Sequence, residues 1–382
     1  MIKVAIVGAG AISSRHVEGY LKFPERAKIV AVADIYEDKA AKHVSDYHLD
    51  AVSVSDYKQL LADPNIDLVT ICTPPSTHAQ IAIDFLLAGK HVLVEKPMAA
   101  SLAECDAMIA AAKKSGKILS VVAQNRFRTP WMKLKRVLDE KLAGEILHAQ
   151  VNSYWWRGHS YYDLWWRGTW ESEGGGCTLN HAVHHIDALQ WMMGLPTEVY
   201  AMMSNVAHDN AEVEDISMAM LRFASGGVGQ ITSSVVHHGQ EQQLVFQCQH
   251  ARLSAPWNLY ASAPMQNGFP ERNTEFEQNI QDFYDKFPDV EYQEHAGQIE
   301  NVLTALENHG EVLIDGNEGR KTLELIVAIY KSASIGKPVR LPLAFDDPFY
   351  TKDGLMASVP RFYEKTGSVE RFENNIITTS GN

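Results

Sequence analysis

The 382-residue chain is short of basic charge: 34 Lys and Arg stand against 47 Asp and Glu, a formal net charge of −13. Phosphate backbones and anionic membranes are gripped by clustered Lys and Arg, so neither nucleic acid nor a membrane surface is an expected partner. No apolar run approaches the roughly 18 residues that a spanning helix needs. Cysteine is scarce as well, with Cys72, Cys105, Cys177 and Cys248 scattered and no Cys-x-x-Cys pair. That usage fits a reducing cytoplasm better than a disulfide framework. Met1 leads directly into strand-like Ile2–Val7 with no signal-type apolar stretch, so a cytoplasmic protein is expected. Internal repeats and low-complexity tracts are absent.

What is present is an ordinary globular composition, 46% hydrophobic, which excludes general disorder. The length suits two domains at roughly 150 residues each. Over the first 125 residues, short Val- and Ile-rich strands alternate with helical stretches, the pattern of βαβ units and a doubly wound parallel sheet. From about Leu147 strand-like segments follow one another without helices, which predicts a large, mostly antiparallel open sheet in a second α/β domain. The expected division is a dinucleotide-binding domain over 1–125, a substrate-binding and oligomerisation domain over 126–342, and a tail over 343–382. The tail is expected either to drape over a neighbouring subunit or to fray.

Gly8-Ala9-Gly10-Ala11-Ile12-Ser13 follows the first strand and opens a helix. Glycine at Gly8 allows a tight turn, and at Gly10 it lets the backbone approach a pyrophosphate. The helix N-terminus at Ala11 and Ile12 then offers free N–H groups to that anion. Ser13 replaces the fingerprint's third glycine with another small residue. Asp34 ends the second strand, 24 residues after Gly10, near the roughly 20-residue spacing of a carboxylate that binds the adenosine ribose. It repels a 2′-phosphate and no Arg follows it closely, so NAD is expected over NADP. Glu95-Lys96-Pro97 comes at the carboxyl end of the strand His91–Val94, where such a sheet binds its ligands. Taken alone, a lysine there is more often a surface charge than a catalyst.

Further motifs follow in order: Thr73-Pro74-Pro75-Ser76-Thr77-His78, Trp166-Arg167, Gly174-Gly175-Gly176, a helix carrying His184, and Gly336-Lys337-Pro338-Val339. In this order the sequence resembles the Gfo/Idh/MocA oxidoreductases, over about residues 1–342. The resemblance implies a Rossmann domain followed by an α/β domain whose open sheet supports homodimers or homotetramers. It also implies that Lys96 and His184 are catalytic and that Trp166 and Arg167 approach the nicotinamide end. Thr73, Pro74, His78, Glu95 and Lys96 match positions along the dinucleotide. Where the family commonly has Asp, this chain has Asn180, which orients by hydrogen bonding but carries no charge. Asn180 and His184 are four apart, a spacing that puts both on one helix face.

His181, His184, His185 and Asp187 also have the spacing of zinc ligands. A metal-dependent hydrolase is therefore an alternative from another class, although no His-Glu-x-x-His pattern is present and the glycine loop would go unused. The bland alternative for His181 and His185 is packing beneath the sheet. Five of the eight Trp fall between Trp155 and Trp170, interleaved with Tyr154, Arg157, Tyr161, Tyr162 and Arg167. Aromatic faces pack on the C–H faces of sugar rings, while an oligomer interface is the competing use of the same residues.

The expected activity is NAD-dependent, reversible oxidation of a secondary hydroxyl on a neutral sugar, glycoside or cyclic polyol, with no metal. His184 serves as general base, Lys96 stabilises the alkoxide and Asn180 orients. Arg126, Tyr154, Trp156, Arg157 and His181 are further candidate substrate contacts; for Arg126 an ion pair at the domain boundary is the alternative. An NAD-dependent glycosidase working by transient oxidation, and a non-catalytic NAD-binding regulator, are the remaining alternatives.

Overall fold

The structure is a computed structural model and describes residues 1–370 and 372. It divides into two compact units, Met1–Phe127 with Val290–Leu323, and Arg128–Asp289 with the chain from Glu324 onward.

In the first unit six strands alternate with helices: β1 (Ile2–Val7), α1 (Ser13–Tyr20), β2 (Ala27–Ala33), α2 (Glu37–Asp46), β3 (Val52–Val54), β4 (Leu68–Ile71), α3 (Pro75–Leu87), β5 (His91–Val94), α4 (Leu102–Ser115) and β6 (Leu119–Val121). The strands pair in parallel in the order β3-β2-β1-β4-β5-β6. Every residue of β4 is buried, as a central strand covered on both faces requires. Helix ends follow local chemistry. The Ser101 hydroxyl accepts the Glu104 N–H, the Glu104 carboxylate accepts the Ala100 N–H at 2.9 Å, and left-handed Gly116 (φ 67°) closes α4. The strand order reverses between β1 and β4, which opens the ligand crevice at the carboxyl edge.

A single cut after residue 125 differs from this division, because residues 290–323 return to the first unit. The helix Glu294–Asn308 buries Ile299, Val302 and Leu303 in the core that holds Val4, Ile6, Val17 and Tyr20. At Gly19 a side chain would come within 2.5 Å of Ile299 Cδ1, so the glycine permits that approach.

The second unit opens with α5 (Thr129–Asp139) and β7 (Ile146–Tyr154), then α6 (Cys177–Asn180) and α7 (Val183–Met193). There follow β8 (Glu198–Ser204), β9 (Ile216–Arg222), β10 (Val228–Ser234), β11 (Gln242–Cys248), β12 (Ala251–Ala255), β13 (Asn258–Pro264), β14 (Pro270–Arg272) and α8 (Thr274–Lys286). With β15 (Val339–Arg340) they form a nine-stranded sheet, β14-β13-β12-β11-β7-β10-β9-β8-β15. Only β7 and β10 run parallel; the other neighbours are antiparallel. In β9, Ser217, Ala219 and Leu221 are buried while Met218 and Met220 are exposed, so one face of this part of the sheet is bare.

Over its described length the tail packs against its own chain. Phe349, Tyr350, Leu355 and Val359 are buried, the Trp170 indole donates to Pro360 O at 3.0 Å, and Trp165 N–H donates to Val369 O at 3.0 Å. Residue 371 and residues 373–382 lie outside the described residues. Among the described residues no helix is long and apolar enough to cross a membrane. All four cysteines are buried free thiols.

Candidate active site

At the carboxyl edge of the parallel sheet, Gly8 has φ 99°, and a Cβ there would lie 2.8 Å from the Cys72 backbone. Only glycine fits. A Cβ at Gly10 would meet nothing within 4 Å, leaving the open space that a phosphate needs to reach the backbone. Ala11 and Ile12 form the turn into α1. Ser13 is fully buried, and its hydroxyl donates to Gly10 O at 2.6 Å, so the replacement of glycine adds a tie within the loop. The Asp34 carboxylate accepts the Ala9 N–H at 2.8 Å and the Tyr36 N–H at 2.9 Å. It is clamped beside the glycine loop with lone pairs left over for ribose hydroxyls. These features fit a dinucleotide.

Thr73 and Pro74 end the β4 turn, and the Thr77 hydroxyl donates to Thr73 Oγ1 at 2.8 Å. His78, expected along the cofactor, is instead fully buried. Its Nε2 faces Thr73 O at 2.8 Å and its Nδ1 faces Pro97 O at 3.0 Å, so it staples the turns after β4 and β5 together. Burial lowers its pKa, and the two carbonyls oppose that. Glu95 is likewise turned inward. Its Oε1 lies 2.8 Å from His16 Nε2 and 3.5 Å from His295 Nε2, and its Oε2 accepts the Lys96 N–H at 3.1 Å. Burial alone would raise the Glu95 carboxyl, but the two imidazoles hold it well below its ordinary value. Lys96 itself is half-buried. Arg126, a candidate substrate contact, is fully buried and pairs with Glu318 at 2.9 Å, which is the ion-pair reading. A guanidinium with no exposed surface has no face left for substrate.

In the second unit the single helix expected to carry both Asn180 and His184 is broken. The Ala182 N–H reaches back to Cys177 O at 2.9 Å, a five-residue π-type turn, between α6 and α7. Asn180 and His184 therefore lie on separate helices rather than on one helix face. The Asn180 amide donates to Gly175 O at 2.8 Å and Gly176 O at 3.3 Å, tying it to the glycine triplet. Of the three histidines here, His184 is partly exposed while His181 and His185 are buried. His185 meets Ser153 Oγ at 3.3 Å, and burial lowers its pKa to about 4. It is a neutral core residue. His181, expected at the substrate, packs between the rings of Trp155 and Tyr161. Among the described residues the group of three whose ligand atoms converge is His16, Glu95 and His295, and not the His181–Asp187 stretch.

The aromatic segment splits in use. Tyr154 stacks on His237 (4.2 Å between centroids) and Trp156, 44% exposed, stacks on His238. Arg157 donates to Trp156 O at 2.7 Å. Trp170 and Tyr162 are fully buried. The Arg167 guanidinium lies 4.1 Å from the ring centres of both Tyr161 and Trp166 and donates to Glu173 at 2.9 Å. Glu173 also accepts the Gly168 N–H at 2.6 Å, and burial raises its pKa against these donors.

Glu173, Glu214 and Tyr330 were not legible as site residues. Buried Glu214 accepts the N–H groups of Gly176 and Thr178, each at 3.0 Å, and the Tyr330 hydroxyl at 3.0 Å. A Cβ at Gly175 would lie 2.2 Å from that hydroxyl, and one at Gly176 would lie 1.9 Å from Glu214 O. The glycine triplet was the available signal: it marks where a buried Glu–Tyr pair presses against the backbone.

Residues 2–123 match the sequence model described as oxidoreductase family, NAD-binding Rossmann fold, and residues 131–254 match the Gfo/Idh/MocA C-terminal domain. The crystal structure of the WlbA dehydrogenase from Chromobacterium violaceum, in complex with NADH and UDP-GlcNAcA, is 30% identical with TM-score 0.78, covering 90% of this chain and 96% of that one. Myo-inositol 2-dehydrogenase of Thermotoga maritima is 26% identical over 89% of this chain and 98% of its own. Levoglucosan dehydrogenase of Pseudarthrobacter phenanthrenivorans is 28% identical over 70% of this chain and 76% of its own.

Proposed function

The chain belongs to the Gfo/Idh/MocA oxidoreductase family, and from that premise we propose that it oxidises a secondary hydroxyl of a neutral sugar, glycoside or cyclic polyol with NAD. The observation that carries this reading is the burial pattern around the glycine triplet. Asn180 and His184 stay partly exposed while His181, Ala182, Val183 and His185 are sealed into the core. Partial exposure lets a ligand entering from solvent reach the His184 imidazole, the side-chain type most used for proton transfer.

In this reading His184 takes the proton from the substrate hydroxyl, and returns it to the carbonyl in the reverse direction. The Lys96 ammonium hydrogen-bonds the same oxygen and stabilises the alkoxide as it develops. Asn180, tied to the triplet's carbonyls, orients substrate. Gly8, Gly10 and Asp34 would hold NAD, which when bound takes up the hydride. Lys96 and Glu95 belong to one turn, so the buried Glu95 carboxylate fixes the backbone from which Lys96 extends. A neutral substrate is supported by the pairing of two candidate anion binders: Arg126 with Glu318 and Arg167 with Glu173. The names of the inositol and levoglucosan dehydrogenases support the same substrate class. The exposed Met218–Met220 face supports a homodimer or homotetramer through the open sheet.

A panel of sugars, glycosides and inositols with NAD, followed at the NADH absorbance band, tests the reading. Accumulating NADH with at least one polyol is expected. Release of an aglycone without net NADH would overturn it in favour of the glycosidase.

A further inference from the structure

Three backbone carbonyls of the aromatic loop, those of Tyr162, Leu164 and Arg167, converge on a single point, and the ammonium of Lys365 occupies it. The Nζ–O distances to Leu164 and Arg167 are both 2.7 Å. Lys365 comes from the tail, beyond the stretch that resembles the family. The tail is registered there by two main-chain bonds, Val369 N–H to Asp163 O at 2.8 Å and Trp165 N–H to Val369 O at 3.0 Å.

Glu173 takes the Gly168 N–H and the Arg167 guanidinium, and the Arg167 main-chain N–H closes a turn on Leu164 O at 3.0 Å. Three carbonyl oxygens aimed at one point, Leu164 O among them with one N–H already bound, repel one another unless a cation lies between them. Rings of backbone carbonyls are how proteins replace the hydration shell of a monovalent cation. A lysine ammonium, compact and with three donors, matches three acceptors.

We propose that these three carbonyls form a monovalent-cation site that shapes the loop carrying Trp166 and Arg167, and that the chain fills it with its own Lys365. Lys365 is then a positioning residue for the loop, acting through Arg167 and Trp166 and touching neither substrate nor cofactor. Its link to catalysis rests on the proposed dehydrogenase reading; the cation site itself does not.

The test uses full-length Lys365→Met, whose side chain ends one atom short of the ammonium position and carries no charge. Five tryptophans between Trp155 and Trp170 report the loop directly. The expected result is a changed tryptophan emission and a roughly tenfold rise in substrate KM, equivalent to about 1.4 kcal/mol, with a smaller change in kcat. Ammonium or potassium chloride should restore both, and lithium chloride at the same ionic strength should not. Wild-type emission and KM in the variant, or equal effects of all three salts, would overturn the site. Should Lys365→Met fail to fold, Lys365→Arg decides. It keeps the charge but not the compact head, and is expected to raise KM in the same sense, whereas a wild-type KM would count against the proposal. An emission change reversed by ammonium supports the site even if wild-type protein oxidises no polyol. That last outcome would strike only the dehydrogenase reading.

Discussion

The Tyr330 hydroxyl donates to Glu214 Oε1 at 3.0 Å, beneath the glycine triplet that leads to Asn180. Burial pushes the Glu214 carboxyl up to about 7 from its ordinary 4.5, although the Thr178 and Gly176 N–H groups pull the other way. Because the folded pKa is raised, this group's contribution to stability is full below its unfolded value and is lost as pH rises through about 7. The shift corresponds to about 3 kcal/mol across that window. Glu214→Gln, which does not titrate, should be less stable than wild type at pH 5 and close most of that gap by pH 8. Urea midpoints at the two pH values measure it, and parallel profiles would show that Glu214 does not titrate in this window.

Glu95 works in the opposite sense. Its folded pKa is depressed, so its contribution is present above the ordinary carboxylate value and is lost as pH falls through the lower folded value. Glu95→Gln leaves His16 and His295 without an anionic partner. Burial lowers the His16 pKa, so the loss is that of a hydrogen bond to a charged acceptor, about 1.5–3 kcal/mol. The variant should melt earlier at pH 7 by calorimetry, and the difference should shrink in acid. An unchanged melting temperature at pH 7 would mean that the pair is not formed.

The first unit was largely legible because its strands are apolar runs punctuated by glycine turns, and Gly8, Gly10 and Asp34 sit where the spacing puts them. Other pieces lack that contrast. Helix α2, EDKAAKHVSD, is mostly polar with Ala40 and His43 as its buried residues, and β12 to β14 are short strands at one edge of the sheet. The α6–α7 break has no proline to announce it. It follows from the glycine triplet being pulled onto Glu214, a contact between residues nearly 40 positions apart. Arg126 reads as a ligand contact from its place just after the last parallel strand, and His78 from the family resemblance. Their partners, Glu318 and the Pro97 carbonyl, come from elements that no local pattern connects to them.

In the proposed reading Asp34 sets cofactor choice. Both carboxylate oxygens already accept a main-chain N–H, so the group is held in place rather than free to swing away from a 2′-phosphate. Asp34→Ser should weaken NAD roughly tenfold through loss of a charged hydrogen bond, and should bring NADP closer to NAD. Fluorescence titration with both reduced cofactors checks this; tighter NADP than NAD binding by the unsubstituted protein would sink the assignment.

Across β8 and β9, Tyr200 pairs with Met220 and Met202 with Met218, all four exposed. Contiguous bare apolar surface of this kind marks an association face. Under the proposed association through this sheet, wild type sediments as an oligomer. Met218→Lys, which places a charge at the centre of the face, should lower that mass in analytical ultracentrifugation. A monomeric wild type would remove the interface. An unchanged oligomer would place the interface elsewhere.

His184 carries the proton in the proposed reaction, and general base catalysis of this kind is worth roughly 10²–10⁴ in rate. His184→Ala should lose about that much in kcat, while titration with NADH gives a wild-type affinity, since Gly8, Gly10 and Asp34 are untouched. Lys96→Met should also cut kcat, because the developing alkoxide loses its cationic hydrogen-bond donor. Combining the two should cost less than the product of the single losses, since both act on one oxygen in one transition state. Fully multiplicative losses would mean that the two residues act independently, and wild-type turnover in His184→Ala would remove the histidine from the mechanism.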